Sequence, residues 1–162
     1  ADASGKIRVS YDLYVSQNIG GRWQRPIRLP GTVNTAHHER SPSLSRDLST
    51  LYYTTWPFGT IDRAYIMSAE YRDDTGDGSF VNQRPMPAPI NIGEQDISLA
   101  PAPDGKGFFF SSRRAGGYGG WDLYYAPYDN GRIGQPVNLG PGINSSANDV
   151  HLSIIGEALY FC

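Results

Sequence analysis

"WDLYYAPYDNGRIGQPVNLGPGINSSAND", residues 121–149, lies over "YDLYVSQNIGGRWQRPIRLPGTVNTAHHE", residues 11–39, at a constant offset of 110 without a gap. Identities fall at Asp12/Asp122, Leu13/Leu123, Tyr14/Tyr124, Gly21/Gly131, Arg22/Arg132, Pro26/Pro136, Leu29/Leu139 and Asn34/Asn144. Between them sits a looser third copy. "AYIMSAEY" at Ala64–Tyr71 answers "DLYVSQN", "PINI" at Pro89–Ile92 answers "PIRL", and Asp96 answers Glu39. Repetition at a fixed period marks an architecture built from one recurring unit.

Upstream of each copy lies a pair of strand-like runs with a polar turn between them: "SPSLSRDLSTLYYTT" from Ser41, "SLAPAPDGKGFFFSS" from Ser98 and the closing "HLSIIGEALYFC" from His151. Joining Cys162 to Ala1 aligns the two chain ends on the third unit without a gap, with Phe161 on Phe109 and Tyr11 on Trp121. The unit lengths are then 52, 58 and 52, which account for all 162 residues. The expected units are about 11–62, 63–120 and 121–162, the last continuing into residues 1–10 of a partner chain. Each is a four-stranded unit, and one is split between the two termini.

Composition agrees with this reading. The 19 glycines, 12 prolines and 11 tyrosines suit short strands joined by many turns, so the expected class is all-β in a single domain. Fourteen basic against 16 acidic residues leave a net charge of −2, too little positive field to hold a phosphate backbone, and nucleic acid is not expected as a partner. No apolar run approaches the roughly 20 residues that span a bilayer. Cys162 is the only cysteine, so no intrachain disulfide forms. A start at Ala1 suits an exported protein after leader removal, and equally a trimmed chain.

Unpaired strand edges invite pairing, and β-propellers use this by closing their ring with a sheet built from both chain ends. Three blades in one closed ring would each turn through about 120°, too wide for faces that pack about 10 Å apart. The expected architecture is therefore a β-propeller with three four-stranded blades per chain. Two chains related by a two-fold axis form a six-bladed homodimer with composite blades at the seams. A longer propeller cut at a unit boundary is the alternative.

"SPSLSRDLSTLYYTT", "APDGKGFFFSSRRAGGYGGWDLYYAP" and "GQPVNLGPGINSSAND" resemble the WD-like β-propeller repeat of the TolB type, over nearly the whole chain and least in the middle unit. The resemblance implies a bacterial protein, periplasmic or otherwise exported, that serves as a non-catalytic platform for a protein or cell-envelope glycan. Fold resemblance does not name the ligand.

In such a blade the first strand is innermost, and the loops leading into it share a face with the loops between strands two and three. The candidate ligand-binding residues on that face are His38, Glu39, Arg40, Trp56, Asp96, Arg113, Arg114, Tyr118, Asp149 and His151, with Phe58 a further aromatic. Glu39, Asp96 and Asp149 recur at the entry to the inner strand and are the candidate metal ligands, with calcium the ion their oxygens would suit. The competing reading has each carboxylate accept backbone N–H bonds or pair with a neighbouring arginine to fix its own loop, and this is the reading favoured here. "HHE" at His37–Glu39 has metal-ligand types, but adjacent side chains diverge. "DDTGDG" at Asp73–Gly78 opens like a calcium loop, yet the twelfth position is Arg84, so a polar hairpin tip is expected. No nucleophile elbow or catalytic pairing is present, and no catalytic residue is assigned. The rival to a binding scaffold is a lactonase- or glycosidase-like hydrolase built on a calcium-loaded carboxylate ring.

Overall fold

The computed structural model describes residues 10–57, 63–74, 78–92 and 95–162, and these are all-β. Residues 1–9, where the third unit was expected to continue, lie outside the described residues, as do Phe58, the centre of "DDTGDG" and Gly93–Glu94. No helix among the described residues is long and apolar enough to cross a membrane.

From Tyr14 to Arg28 the chain makes a two-stranded ribbon. β1 (Tyr14–Val15) and β2 (Asn18–Ile19) run out, while β3 (Arg22–Trp23) and β4 (Ile27–Arg28) return. The turn rests on Gly20 and Gly21, both at positive φ, which lets two residues reverse the chain with the twist of the strands they join. A complete antiparallel meander follows: β5 (His38–Leu44), β6 (Thr50–Trp56), β7 (Tyr65–Arg72) and β8 (Ser79–Pro85), paired in chain order. A second is made by β9 (Asp96–Pro101), β10 (Gly107–Ser112) and β11 (Asp122–Asp129), its outer strand split into β12 (Arg132–Ile133) and β13 (Val137–Asn138). The chain ends in a hairpin, β14 (Ser153–Ile155) and β15 (Ala158–Tyr160), turning at Gly156.

The sequence repeat is also a repeat of register. Tyr14 faces Arg28 and Asn18 faces Trp23; 110 positions on, Tyr124 faces Asn138 and Tyr128 faces Ile133. Asn130 and Gly131 take the place of the two turn glycines, again at positive φ. At the other end the register corrects the ungapped alignment. Ser43 and Ala100, each four residues past the recurring carboxylate, face Tyr52 and Phe109, while Ser153, four past Asp149, faces Tyr160. Tyr160, not Phe161, therefore occupies the place of Phe109, because the "IIGEAL" turn is two residues shorter than "PAPDGKGF".

Four layers stack in chain order. Leu13, Val33, Leu51, Tyr53 and Ala69 join the N-terminal ribbon to the first meander. Ile66, Met86, Leu99, Phe108, Phe110 and Tyr124 fill the space between the two meanders. Ala100, Leu123 and Leu152, flanked by Leu139, Ile154 and Leu159, attach the final hairpin. Ile66, Phe110 and Leu123 are fully buried, each contributing about 1.5–3 kcal/mol. The composition of β9 follows from its position: "DISLAP" is buried on both faces rather than alternating, because meander lies on one side and hairpin on the other.

Candidate functional site

β5, β9 and the segment leading to β14 are entered through the same construction. Asn34, Asn91 and Asn144 stand five residues before Glu39, Asp96 and Asp149. Each asparagine Oδ1 accepts a backbone N–H from the third strand, from Leu13 at 2.6 Å, Ile66 at 2.8 Å and Leu123 at 2.7 Å, and each Nδ2 donates to the carbonyl of that same residue. The amide thus ties the loop to that strand by a pair of side-chain hydrogen bonds, giving the N–H an acceptor and adding a second donor to a carbonyl that already accepts the backbone N–H of Leu29, Met86 or Leu139.

The three carboxylates then fix their own loops. Thr35 Oγ1 donates to Glu39 Oε1 at 2.5 Å, Asn91 N–H to Asp96 Oδ2 at 2.8 Å, and Ser145 N–H to Asp149 Oδ2 at 2.8 Å. All three are buried, and burial raises the pKa of Glu39 and of Asp96. Of the three, only Asp96 forms an ion pair among the described residues: Arg114 Nη2 donates to it at 2.8 Å and also to Pro89 O, while its guanidinium stacks 4.9 Å over Phe110 and 5.0 Å over Tyr124. The Arg114 charge is thereby spent inside the protein.

Two residues beyond each carboxylate the chain bulges. Ser41, Ser98 and His151 all adopt left-handed backbone conformations, at φ of 52°, 55° and 57°, which non-glycine residues rarely do. The three bulges meet. Ser98 Oγ donates to Ser41 Oγ at 3.3 Å, Ser43 Oγ donates to Leu99 O at 2.5 Å, and a cavity of about 130 Å³ lies among Ser41, Ser43, Ser98, His151 and Leu152.

Beside this junction the structure gathers four of the sequence-predicted residues. His38 stacks on Trp56 with centroids 5.1 Å apart, Arg40 lies 5.0 Å over the same indole, and Arg40 Nη2 donates to His151 Nε2 at 3.0 Å. Burial and the neighbouring guanidinium both hold His151 below the usual histidine range, so it is neutral at pH 7. Because Nε2 accepts from a guanidinium, Nδ1 carries the proton, and it faces Cys162 Sγ at 3.6 Å. An imidazole that presents N–H to the sulfur is not positioned to deprotonate it.

The remaining candidates stand apart. Arg113 stacks 4.7 Å over Trp121. Tyr118 is half exposed, and its backbone N–H, with that of Gly119, donates to the buried Asp122 carboxylate. Close approaches explain "GGYGG": a Cβ on Gly117 would sit 2.5 Å from Asp122 Oδ2, and one on Gly119 2.0 Å from Ala147 O. In "HHE" the side chains diverge, His38 onto Trp56 and the exposed His37 onto the cavity beside Glu39, and at "DDTGDG" Asp73 accepts from the Gly78 N–H as a hairpin tip does. Among the described residues no three His, Cys, Asp or Glu side chains converge on a metal position.

Sequence reasoning missed Asn91, the left-handed bulge residues and which of the three carboxylates pairs with which arginine. Only the first had a signal, the constant five-residue step from asparagine to carboxylate. No known family model and no curated protein matches the chain.

Proposed function

We propose that this chain is half of a six-bladed β-propeller of the TolB-like kind, completed by a second copy of itself, and that the ring is a non-catalytic scaffold for a protein or cell-envelope ligand. The observation that carries this reading is the complementarity of the chain ends. The final hairpin has the register of the first two strands of a meander, and the N-terminal ribbon has the register of the last two. Two such halves from separate molecules make one whole sheet at each seam. Tyr14, Ile27, Trp23, Ile155 and Tyr160, all more than half exposed in one chain, lie on the two halves and give a seam apolar area to bury. The binding face is the one carrying the inner-strand loops, with His38, Arg40, Trp56 and His151 gathered around the bulge junction.

The hydrolase alternative requires Glu39, Asp96 and Asp149 to face a shared cation. Their hydrogen bonds run to their own loops instead, which supports the scaffold reading. Sedimentation equilibrium tests the proposal. The expected particle is twice the 17.8 kDa chain, with an unfolding midpoint that rises with protein concentration. A 17.8 kDa particle with a concentration-independent midpoint would overturn the ring.

A further inference from the structure

A cavity of about 420 Å³ opens beside Glu39, lined among others by Thr32, Thr35, His37, Tyr53, Thr55 and Met67. Its walls repeat those around Arg114 in the second meander. Glu39 faces Thr55 across the β5–β6 ladder as Asp96 faces Ser112 across β9–β10. Tyr53 faces Met67 as Phe110 faces Tyr124. Thr32 precedes Asn34 by two residues, as Pro89 precedes Asn91.

In the second meander this enclosure is filled from within. Arg114 bonds Asp96 and the Pro89 carbonyl, its Nε donates to Ser112 Oγ at 2.9 Å, and its plane lies against the two rings. In the first meander the residue two past Thr55, in Arg114's place, is Pro57, and the following residues through Asp62 include no basic one. Glu39 is 1% exposed, and its Oε2 has no hydrogen-bond partner among the described residues. Asp96 Oδ1 is likewise without a donor, but Asp96 has the Arg114 guanidinium on its other oxygen, whereas no ion pair reaches Glu39 among the described residues; a buried carboxylate in that state costs free energy that a bound cation would recover.

We infer that the Glu39 cavity is a guanidinium-binding site, the unfilled counterpart of the Arg114 site, taking an arginine side chain or a small guanidinium compound. The planar fork suits it: one edge pairs with Oε2, another donates to Thr55 Oγ1 and the Thr32 carbonyl, and the face rests on the Tyr53 ring. An ammonium presents no plane to that ring and has fewer directed donors. The site rests on the binding reading above, and does not depend on ring closure.

The chain has two methionines, Met67 in the cavity wall and Met86 in the core between the meanders, so methyl-labelled methionine gives a probe and an internal control. Agmatine and N-acetylarginine amide, titrated up to about 20 mM to cover the weak range of a single ion pair, should shift the Met67 methyl saturably and leave Met86 in place. Glu39→Gln should weaken binding about tenfold or more. Thr55→Leu, which fills the cavity but keeps the carboxylate, should abolish it and serves if the first variant folds poorly. Equal affinity for the two compounds identifies the free group as the ligand, and tighter binding of the amide identifies an arginine within a polypeptide. A stationary Met67 signal, an equal response to neutral N-acetylcitrulline amide, or full binding by Glu39→Gln would overturn the site. A silent cavity in a particle of dimer mass would refute guanidinium recognition and leave the ring standing.

Discussion

Arg114→Ala is the substitution whose effect can be worked most fully from the structure. Asp96 is 0% exposed and the Arg114 side chain 17% exposed, so truncation leaves a desolvated carboxylate whose remaining hydrogen bond is from the Asn91 N–H. Removing one partner of a buried pair costs about 3–5 kcal/mol. The small exposure of Arg114 admits some water and puts the expected loss near the lower end, about 3 kcal/mol, including the cation–π contacts with Phe110 and Tyr124. Burial already raises the Asp96 pKa, while Ser112 and Arg114 pull it down, so the variant's carboxyl titrates higher still. The loss is therefore largest above that raised pKa and shrinks as acid neutralises the orphaned carboxylate. Urea unfolding at fixed protein concentration, at neutral and acidic pH, measures both quantities. A double-mutant cycle with Asp96→Asn should show coupling above about 1 kcal/mol. A neutral-pH loss below about 1 kcal/mol, or additivity in the cycle, would refute a buried ion pair at this position.

Three further outcomes are expected. Glu39 has the opposite linkage sign from a salt-bridged acid: its raised folded pKa favours the fold below its ordinary value near 4.5, and that contribution is lost as pH rises through the folded value. Glu39→Gln should therefore unfold at a higher temperature than the native chain at pH 7, by about 1 kcal/mol equivalent, and the two should converge in acid; a destabilised variant at pH 7 contradicts this. Asn144→Ala removes hydrogen bonds to the Leu123 N–H, the Leu123 carbonyl and Asn138 Oδ1 from a residue only 5% exposed, and should cost about 3 kcal/mol in urea unfolding. Gly119→Ala would place a Cβ 2.0 Å from the Ala147 carbonyl oxygen, and should cost about 1–3 kcal/mol, with amide-exchange protection lost first at residues 117–120.

The all-β class and the pairing of the first and last units were legible because the repeat lies in the turns and the residues flanking them, where backbone conformation restricts residue choice. Glycine or asparagine at positive φ and the clamping asparagines are such positions. The middle unit was harder to place because its hairpin is longer and Tyr65 stands where the others carry Asp12 and Asp122, so "PINI" was matched on apolar character while Asn91 went unassigned. Phe161 was aligned with Phe109 because aromatic residues fill several consecutive positions there. Only the Ser153–Tyr160 pairing resolves the shortened turn.

The carboxylates were legible as recurring acids, and the preferred reading of them as loop anchors agrees with their hydrogen bonds. Their differences were not legible. Arg114 lies 18 residues from Asp96 and reaches it only through the fold, and the Glu39 cavity comes from a proline standing where the neighbouring unit has an arginine. Likewise nothing in the composition of Ser41, Ser98 and His151 marks a shared left-handed bulge, since the shared property is a torsion angle.

The asparagine clamp has a consequence for behaviour at high concentration. It supplements the ladder beside the outer strands β4 and β13, which have only two residues each, while β8, beside the same clamp at Asn91, has seven. Strands that brief, interrupted and followed by clamped loops give another molecule little continuous backbone on which to grow a fibril.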